Sequence, residues 1–376
     1  MAAGNRTETW AFVAGGGTAG HVLPAVAAAR ALEARGHPAA SIRFVGSERG
    51  LEANLVPQAG FPITLLPGRG IARRLTLDNV GAVVGLVRAV GRALVLTART
   101  RPAVVLSVGG YASVPCAAAA AALRVPLVVH EQNAVPGLAN RLAARVARAS
   151  AVSFPGTAMR RAVVTGNPVR PEVRAVDRSP AGRAAARADL GLPAGAVVVA
   201  VAGGSLGSRR VNEAVFGLVE AWGDRAGVAV RHAVGSRDWA TASGRLPSPA
   251  PGGLVYQAVE YEDRMPLVLA AADVVVGRAG GSTVAELAAV GRASVLVPLP
   301  IAPQDHQTAN ARALVDAGAA VLVPDADFTP ERLAAELGPL VADPARLAAM
   351  GDAAHGLDRP DAAERVADLV ERHARR

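Results

Sequence analysis

"GGGTAGH", residues 15–21, follows directly on the apolar run Trp10-Ala11-Phe12-Val13-Ala14. An apolar run that breaks into glycines and then into an Ala-rich stretch of helical period reads as strand, tight turn and helix. Gly15, Gly17 and Gly20 fit G-x-G-x-x-G, a turn whose unpaired N–H groups and helix dipole attract an anion. The residues leave that anion open. A nicotinamide dinucleotide would also need an acid after the second strand to bind ribose, and Glu48 after "SIRFVGS" could serve.

Working outward, short β-branched runs alternate with longer Ala/Leu/Arg stretches, the pattern of βαβ units. In the first half the spacing predicts strands at 10–14, 41–46, 103–108, 125–130 and 150–154, with helices such as 24–35 and 136–147 between them. Around "VVTGNPVRPEVRAVDRSPAGRAA" the pattern lapses into Pro, Gly and charge, then restarts with "AVVVAVAGG" at 196–204. The second half repeats the scheme: strand 196–202, the turn "GGSLGS", a helix from about 208, and strands near 228–234, 254–258, 273–276, 293–297 and 319–323. The predicted fold is α/β, two Rossmann-like, doubly wound parallel-sheet domains with ligands in the cleft between them. Domain bounds are 1–166 and 196–355, a linker at 167–195, and a C-terminal helix in 356–376 that can pack back on the first domain.

Composition narrows the function. The 376 residues are 51% hydrophobic and 3% aromatic, and all 40 basic residues are arginine against 31 acidic ones, a net charge of +9. Such a balance suits anionic partners, although coding bias accounts for it equally well. No basic run carries interleaved aromatics, so nucleic acid is not an expected partner. Cys116 stands alone, which excludes an intrachain disulfide and a multi-thiolate zinc site. The start, "MAAGNRTETWAFVAGGG", lacks a signal-like apolar segment, and the apolar stretches 80–98 and 114–129 are broken by Arg88, Arg92 and Arg124. A cytoplasmic protein with no membrane span is expected.

Each motif has a functional reading beside a plain one. His21 at a helix start is favoured as neutral imidazole and could take a proton from a hydroxyl, or it could simply cap and pack. "VVHEQNAVPGLANR" adds His130, Glu131 and Asn133 to the same sheet rim, where Glu131 could merely cap the next helix. A second glycine turn, "GGYAS", holds Gly110 and Tyr111, and "GGSLGS" makes a third. A dehydrogenase needs only one of the three. In "DVVVGRAGGSTVAELAAVG", Arg278, Gly281, Ser282, Thr283, Val284 and Ala285 form a small-residue turn suited to a diphosphate, and Glu286 one turn on could meet ribose hydroxyls. "PQDHQTANA" brings His306 and Gln307, polar groups suited to a sugar. Asp325 and Asp327 make a D-x-D spacing that could hold a divalent ion, but two acids in a turn are commonly just solvated, and no metal is assigned. No nucleophile elbow, P-loop or Cys-His pair appears.

With "GGGTAGH", "SVGGYASVP", "HEQNAVPGLANR", "GNPVR", "GGSLGSRRVN", "GRAGGSTVAE" and "DHQTANA" in this order, the chain closely resembles the MurG family over nearly its whole length. That family moves N-acetylglucosamine from UDP-N-acetylglucosamine to lipid I, forming lipid II for the peptidoglycan on which cell shape and division depend. The resemblance implies a GT-B fold and an inverting transfer, without a cofactor, from the donor's anomeric carbon to the muramyl C4 hydroxyl. His21 or Glu131 would be the base. In the second domain it implies a donor site of Ser205, Arg170, Arg278, Gly281 to Glu286, His306 and Gln307, with Glu262 facing uracil through its backbone. In the first, Gly17, Gly110 and Tyr111 would take the acceptor, and Thr18, Ala19, Gly20 and Asn133 would reach the donor sugar. Ala19 and Leu206 stand where many relatives have Gly and Gln. A membrane-bound acceptor also suits "LPGRGIARRLTLDNV", where Ile71, Leu75 and Leu77 lie among Arg73 and Arg74, an apolar patch ringed by cations for peripheral docking on an anionic cytoplasmic leaflet. Partners in a cell-wall synthesis complex would follow. A related transferase on another lipid or natural product, an epimerase of UDP-N-acetylglucosamine, and a nicotinamide oxidoreductase resting on "GGGTAGH" remain as alternatives.

Overall fold

A computed structural model describes residues 8–48, 50–67, 78–204 and 206–375, and the chain divides into two α/β units. One runs to Arg170 and is completed from Arg359 onward, and the other is Pro171–Asp358. The first carries β1 (Ala11–Gly15), α1 (Ala19–Ala34), β2 (Ile42–Ser47), α2 (Glu52–Gln58), β3 (Ile63–Leu66), α3 (Asp78–Thr100), β4 (Val104–Gly109), α4 (Ser113–Ala122), β5 (Leu127–Glu131), α5 (Leu138–Ala143), β6 (Ala149–Val152) and β7 (Ala162–Val164). Its seven strands lie parallel in the order β3-β2-β1-β4-β5-β6-β7. Period-two alternation splits β1 between two cores: Ala11 and Val13 pack with Val22 and Leu32 of α1, while Phe12 and Ala14 pack with Cys116 and Ala120 of α4. Burial pushes the Cys116 thiol up to about 12, which leaves it a packing group and no nucleophile.

The second unit carries α6 (Pro171–Arg174), α7 (Pro180–Asp189), β8 (Val197–Ala202), α8 (Arg209–Ala221), β9 (Val228–Ala233), α9 (Ser236–Ala242), β10 (Val255–Val259), α10 (Met265–Ala271), β11 (Val274–Gly277), α11 (Gly281–Val290), β12 (Ala293–Leu296), α12 (His306–Asp316), β13 (Ala320–Leu322), α13 (Pro330–Val341) and α14 (Pro344–His355). Its parallel sheet runs β10-β9-β8-β11-β12-β13. Val199, Val201, Val274, Val276 and Val295 form a core with Val215 and Leu218 of α8 and Leu333 and Leu337 of α13. The last helix, α15 (Ala362–His373), belongs to the first unit, where Val366, Leu369 and Val370 enter the core shared with α1. Arg35 pairs with Asp368 and Glu371 to hold its outer face.

Both sheets reverse strand order once, between β1 and β4 and between β8 and β11, and ligands of such sheets bind beyond the strand ends at those reversals. Three local differences from the sequence reading have physical causes. The helix predicted from Pro24 begins at Ala19, with Pro24 in its second turn. The short edge strands β3 and β7 were not predicted; both are half-buried or exposed along most of their length and lack a buried apolar run. Residues 167–195, predicted as linker, include α6 and α7. Arg183 and Arg187 of α7 grip Asp273 at the foot of β11, each at 2.6 Å, which binds this stretch into the second unit.

Candidate functional site

In the first unit the turn after β1 meets the turn after β4. Gly16 N–H donates to Gly109 O (3.1 Å), and a Cβ at Gly110 would stand 2.2 Å from Gly16 O, so side chains are barred where the two turns touch. Gly109 and Gly110 hold φ of +89° and +82°, the left-handed region that glycine enters without penalty. His21, in the first turn of α1, lies over Gly109: a Cβ there would be 3.1 Å from His21 Cδ2 and 3.2 Å from its Nε2. Thr18 Oγ1 meets His21 Nδ1 at 3.0 Å. Tyr111 donates its hydroxyl to Pro67 O (3.2 Å), and burial raises its pKa.

Glu131 ends β5 with its side chain buried. Its Oε1 accepts from Asn133 N–H (3.0 Å) and Asn133 Nδ2 (3.1 Å), and its Oε2 from Gly137 N–H (3.0 Å) and Asn140 Nδ2 (2.9 Å). Four donors fill the lone-pair directions of one carboxylate, so the group shapes the loop that bears Asn133 and has no lone pair left for a substrate hydroxyl. His130 is buried beside it, with Nδ1 accepting from the Gln132 amide at 3.0 Å. Burial, with the nearby His21 in the same direction, lowers its pKa to about 4, against the opposing Gly166 backbone bond. It is a neutral packing group near pH 7.

The loop amide named as an acceptor contact is already engaged. Gly17 N–H donates to the buried carboxylate of Glu52 at 2.7 Å, and with Gly16 N–H on Gly109 O these two turn amides are spent within the protein. An internal carboxylate under the turn also repels a dinucleotide diphosphate. Glu48, the acid needed by the nicotinamide reading, is exposed, and Glu52 occupies the position under the loop.

In the second unit, α11 starts at the reversal point with Gly280 as N-cap and no acid in its first turn. Gly281, Val284 and Leu287 are buried, while Ser282, Thr283, Ala285 and Glu286 are half-buried on the other face, so Ser282 and Glu286 share one side at i and i+4. The Val284 N–H already donates to Gly280 O (3.0 Å), so the anion-receiving amides are those before it. Arg278, read as a diphosphate contact, is committed: NH1 donates to Val297 O and Pro298 O and pairs with Asp325 at 2.6 Å, and NH2 donates to the Ser208 hydroxyl at 2.7 Å. It ties the ends of β8, β11 and β12 together beneath the turn. Asp325 of the D-x-D pair is thereby an ion-pair partner, and no group of three or more His, Cys, Asp or Glu side chains that could hold a metal occurs among the described residues.

Glu262 is buried and accepts from Arg231 Nε (2.8 Å) and Arg264 N–H (3.0 Å), which leaves its side chain no freedom to meet a base. Gln307 accepts from Leu299 N–H (2.9 Å) and His306 Nδ1 donates to Pro303 O (2.9 Å), both fixing the loop before α12. Gln304 and Asp305 in that loop both adopt left-handed φ, a strained pair of the kind that collects at ligand sites. Arg170 is the last residue of the first unit before the chain enters the second. Ser205, Ile71, Arg73, Arg74, Leu75 and Leu77 lie outside the described residues.

Residues 11–152 match the glycosyltransferase family 28 N-terminal domain and residues 198–366 its C-terminal domain. A relative from a Nocardioides species, named UDP-N-acetylglucosamine–N-acetylmuramyl-(pentapeptide) pyrophosphoryl-undecaprenol N-acetylglucosamine transferase, is 46% identical over 363 residues, covering 96% of each chain. One of the same name from Acidothermus cellulolyticus is 45% identical, covering 96% of this chain and 97% of its own. The crystal structure of Acinetobacter baumannii MurG superposes with a TM-score of 0.73 at 29% identity, covering 96% of this chain and 98% of that one. The chain belongs to the MurG family.

In this MurG-family chain the sequence reading missed Glu52, Asn140, Gln132 and Ser208. Each works through a backbone group or side chain that only the fold brings near: Asn140 reaches His130 O and Glu131 across nine or ten residues, and Glu52 reaches Gly17 across 35. The one usable signal was the second Glu of "VGSERGLEANL", Glu52, next to the glycines before it.

Proposed function

We propose that this protein is an inverting glycosyltransferase that moves N-acetylglucosamine from UDP-N-acetylglucosamine to the muramyl C4 hydroxyl of lipid I. The observation that carries this reading is end-to-end similarity to relatives bearing that name. The second unit binds the donor. The first-turn amides of α11 and its dipole receive the diphosphate, Glu286 on the half-buried face accepts from ribose, and the Gln307 loop meets the sugar. Arg278 positions that turn from below.

The first unit supplies the base. Thr18 Oγ1 accepts from His21 Nδ1–H, which leaves the Nε2 lone pair to take the proton of the attacking hydroxyl. Gly109, which has no side chain, gives the ring room there. Glu131 is a positioning residue that orders Asn133 and Asn140. As the hydroxyl oxygen bonds to the anomeric carbon from the face opposite UDP, the bond to the diphosphate breaks and the departing charge is met by the α11 amides, a stabilisation that needs no metal. Tyr111 stands at the end of the second glycine turn on the acceptor side.

The protein docks peripherally on the cytoplasmic membrane face, alongside other cell-wall enzymes. No helix among the described residues is long and apolar enough to cross a membrane. α3 continues from the basic patch with Val84, Val87, Arg88, Arg92 and Val95 exposed along one side, suited to anionic headgroups.

The test is transfer of radiolabelled N-acetylglucosamine from UDP-N-acetylglucosamine to a short-chain lipid I analogue with EDTA present. Product formation is expected. UDP binding without transfer to lipid I would move the acceptor to another lipid, and thermal protection by NAD(H) but not UDP would overturn the reading altogether.

A further inference from the structure

Glu52 is the buried carboxylate that the reaction just described leaves unused. It begins α2 with 1% of its surface exposed. Its Oε2 accepts from Gly17 N–H at 2.7 Å, and its Oε1 accepts from Ser47 N–H at 2.7 Å and the Ser47 hydroxyl at 2.9 Å. Three glycines make the space, Gly16 in the first turn, Gly46 in β2 and Gly50 just after it: a Cβ would stand 2.3 Å from this side chain at Gly16 and at Gly46, and 2.0 Å at Gly50. A receptor of amides and a hydroxyl has been built around an anion, and the anion is the protein's own.

We propose that Glu52 is a positioning residue: it fills the first glycine turn with an internal carboxylate, so that the turn presents Thr18 and His21 and does not hold a ligand phosphate. The chain of contacts is short. Glu52 fixes Gly17 N–H; the next residue, Thr18, accepts at its carbonyl from the N–H groups of His21 and Val22, both at 3.1 Å, which starts α1; and Thr18 Oγ1 meets the His21 ring. Moving Gly17 moves the origin of the helix and the base with it. The proposal rests on the transferase reading for its kinetic consequence, though not for its geometry.

The test is Glu52→Gln, which turns one accepting oxygen into an NH2 facing a backbone donor. On the lipid I analogue, kcat is expected to fall about thirtyfold while the donor KM stays within about twofold and UDP still binds. In parallel, the imidazole NMR signals of His21, assigned by their loss in His21→Gln, are expected to shift in Glu52→Gln without any substrate present. Glu52→Ala is expected to regain kcat in formate beyond the same ionic strength of chloride, since formate refills the receptor. An unchanged kcat in an active enzyme, a kcat loss matched by lost UDP binding, or unmoved His21 signals each overturns the proposal. A wild type that transfers nothing overturns the transferase reading instead, and the NMR comparison still decides this one. If Glu52→Gln does not fold, Glu52→Asp, which keeps the charge and retracts it from Gly17, is read the same way.

Discussion

At the residue scale, the two candidate bases differ in how they are held. Glu131 already accepts four N–H bonds, whereas the described contacts of His21 hold Nδ1 on Thr18 and the ring above a glycine. The acidic limb of the kcat/KM profile should therefore persist in Glu131→Gln, at reduced height, and flatten in His21→Gln; a limb lost in Glu131→Gln alone would reverse the assignment. Two other histidines act on stability. Burial lowers His130 to about 4 and His232 to about 3, so between those values and 6.5 the unfolded chain takes up protons that the folded chain refuses. Stability is full above pH 6.5 and is lost as pH falls toward 4, by about 3 kcal/mol for His130 alone. Melting temperatures taken from pH 7 to pH 4 should fall, and His130→Gln should make that fall shallower. His21, His130, Glu131 and Asn133 were legible in the sequence because they lie at or just past strand ends. Their division of labour was not, because it depends on Asn140 and Gly137, which the α5 loop folds back onto Glu131.

Elements repeat the lesson. The predicted strands lie within two residues of those observed wherever a run of Val and Ala is buried on both faces, as in β4, β8 and β11. β3 and β7 escaped notice because an edge strand is defined by its one neighbour more than by its own composition. α11 was legible as a glycine turn and helix, but the commitment of Arg278 was not, since its partners sit just before α8, just past β12 and beyond β13. α3 carries the membrane argument at this scale. Reversing Arg88 and Arg92 to Glu should cut co-sedimentation with anionic vesicles about tenfold at low salt and leave neutral vesicles unaffected. Equal binding by variant and wild type would remove α3 from the docking surface.

For the whole molecule, two doubly wound parallel sheets follow from the sequence pattern, whereas their strand orders, with β3 and β7 at the edges of the first, did not. The chain leaves the first unit after Arg170 and re-enters it at Arg359, so α15 belongs to a core laid down more than three hundred residues earlier. Burial of Val366, Leu369 and Val370 is worth about 6 kcal/mol in gross terms. Deleting residues 359–376 should lower the melting temperature and open the first unit to limited proteolysis, with mass-mapped cuts inside residues 8–170; an unaltered melt and cleavage pattern would show α15 to be dispensable.

The same return of the chain sets an order of events on the ribosome. Domains ordinarily finish folding in the order they emerge, yet here the face of β4, β5 and β6 waits for a helix encoded after the whole second unit. At roughly 5–20 residues per second, the remaining two hundred residues or so take roughly 10–40 s to synthesise. For that interval the nascent first domain carries an uncovered apolar face, and the half of the enzyme made first is the half completed last.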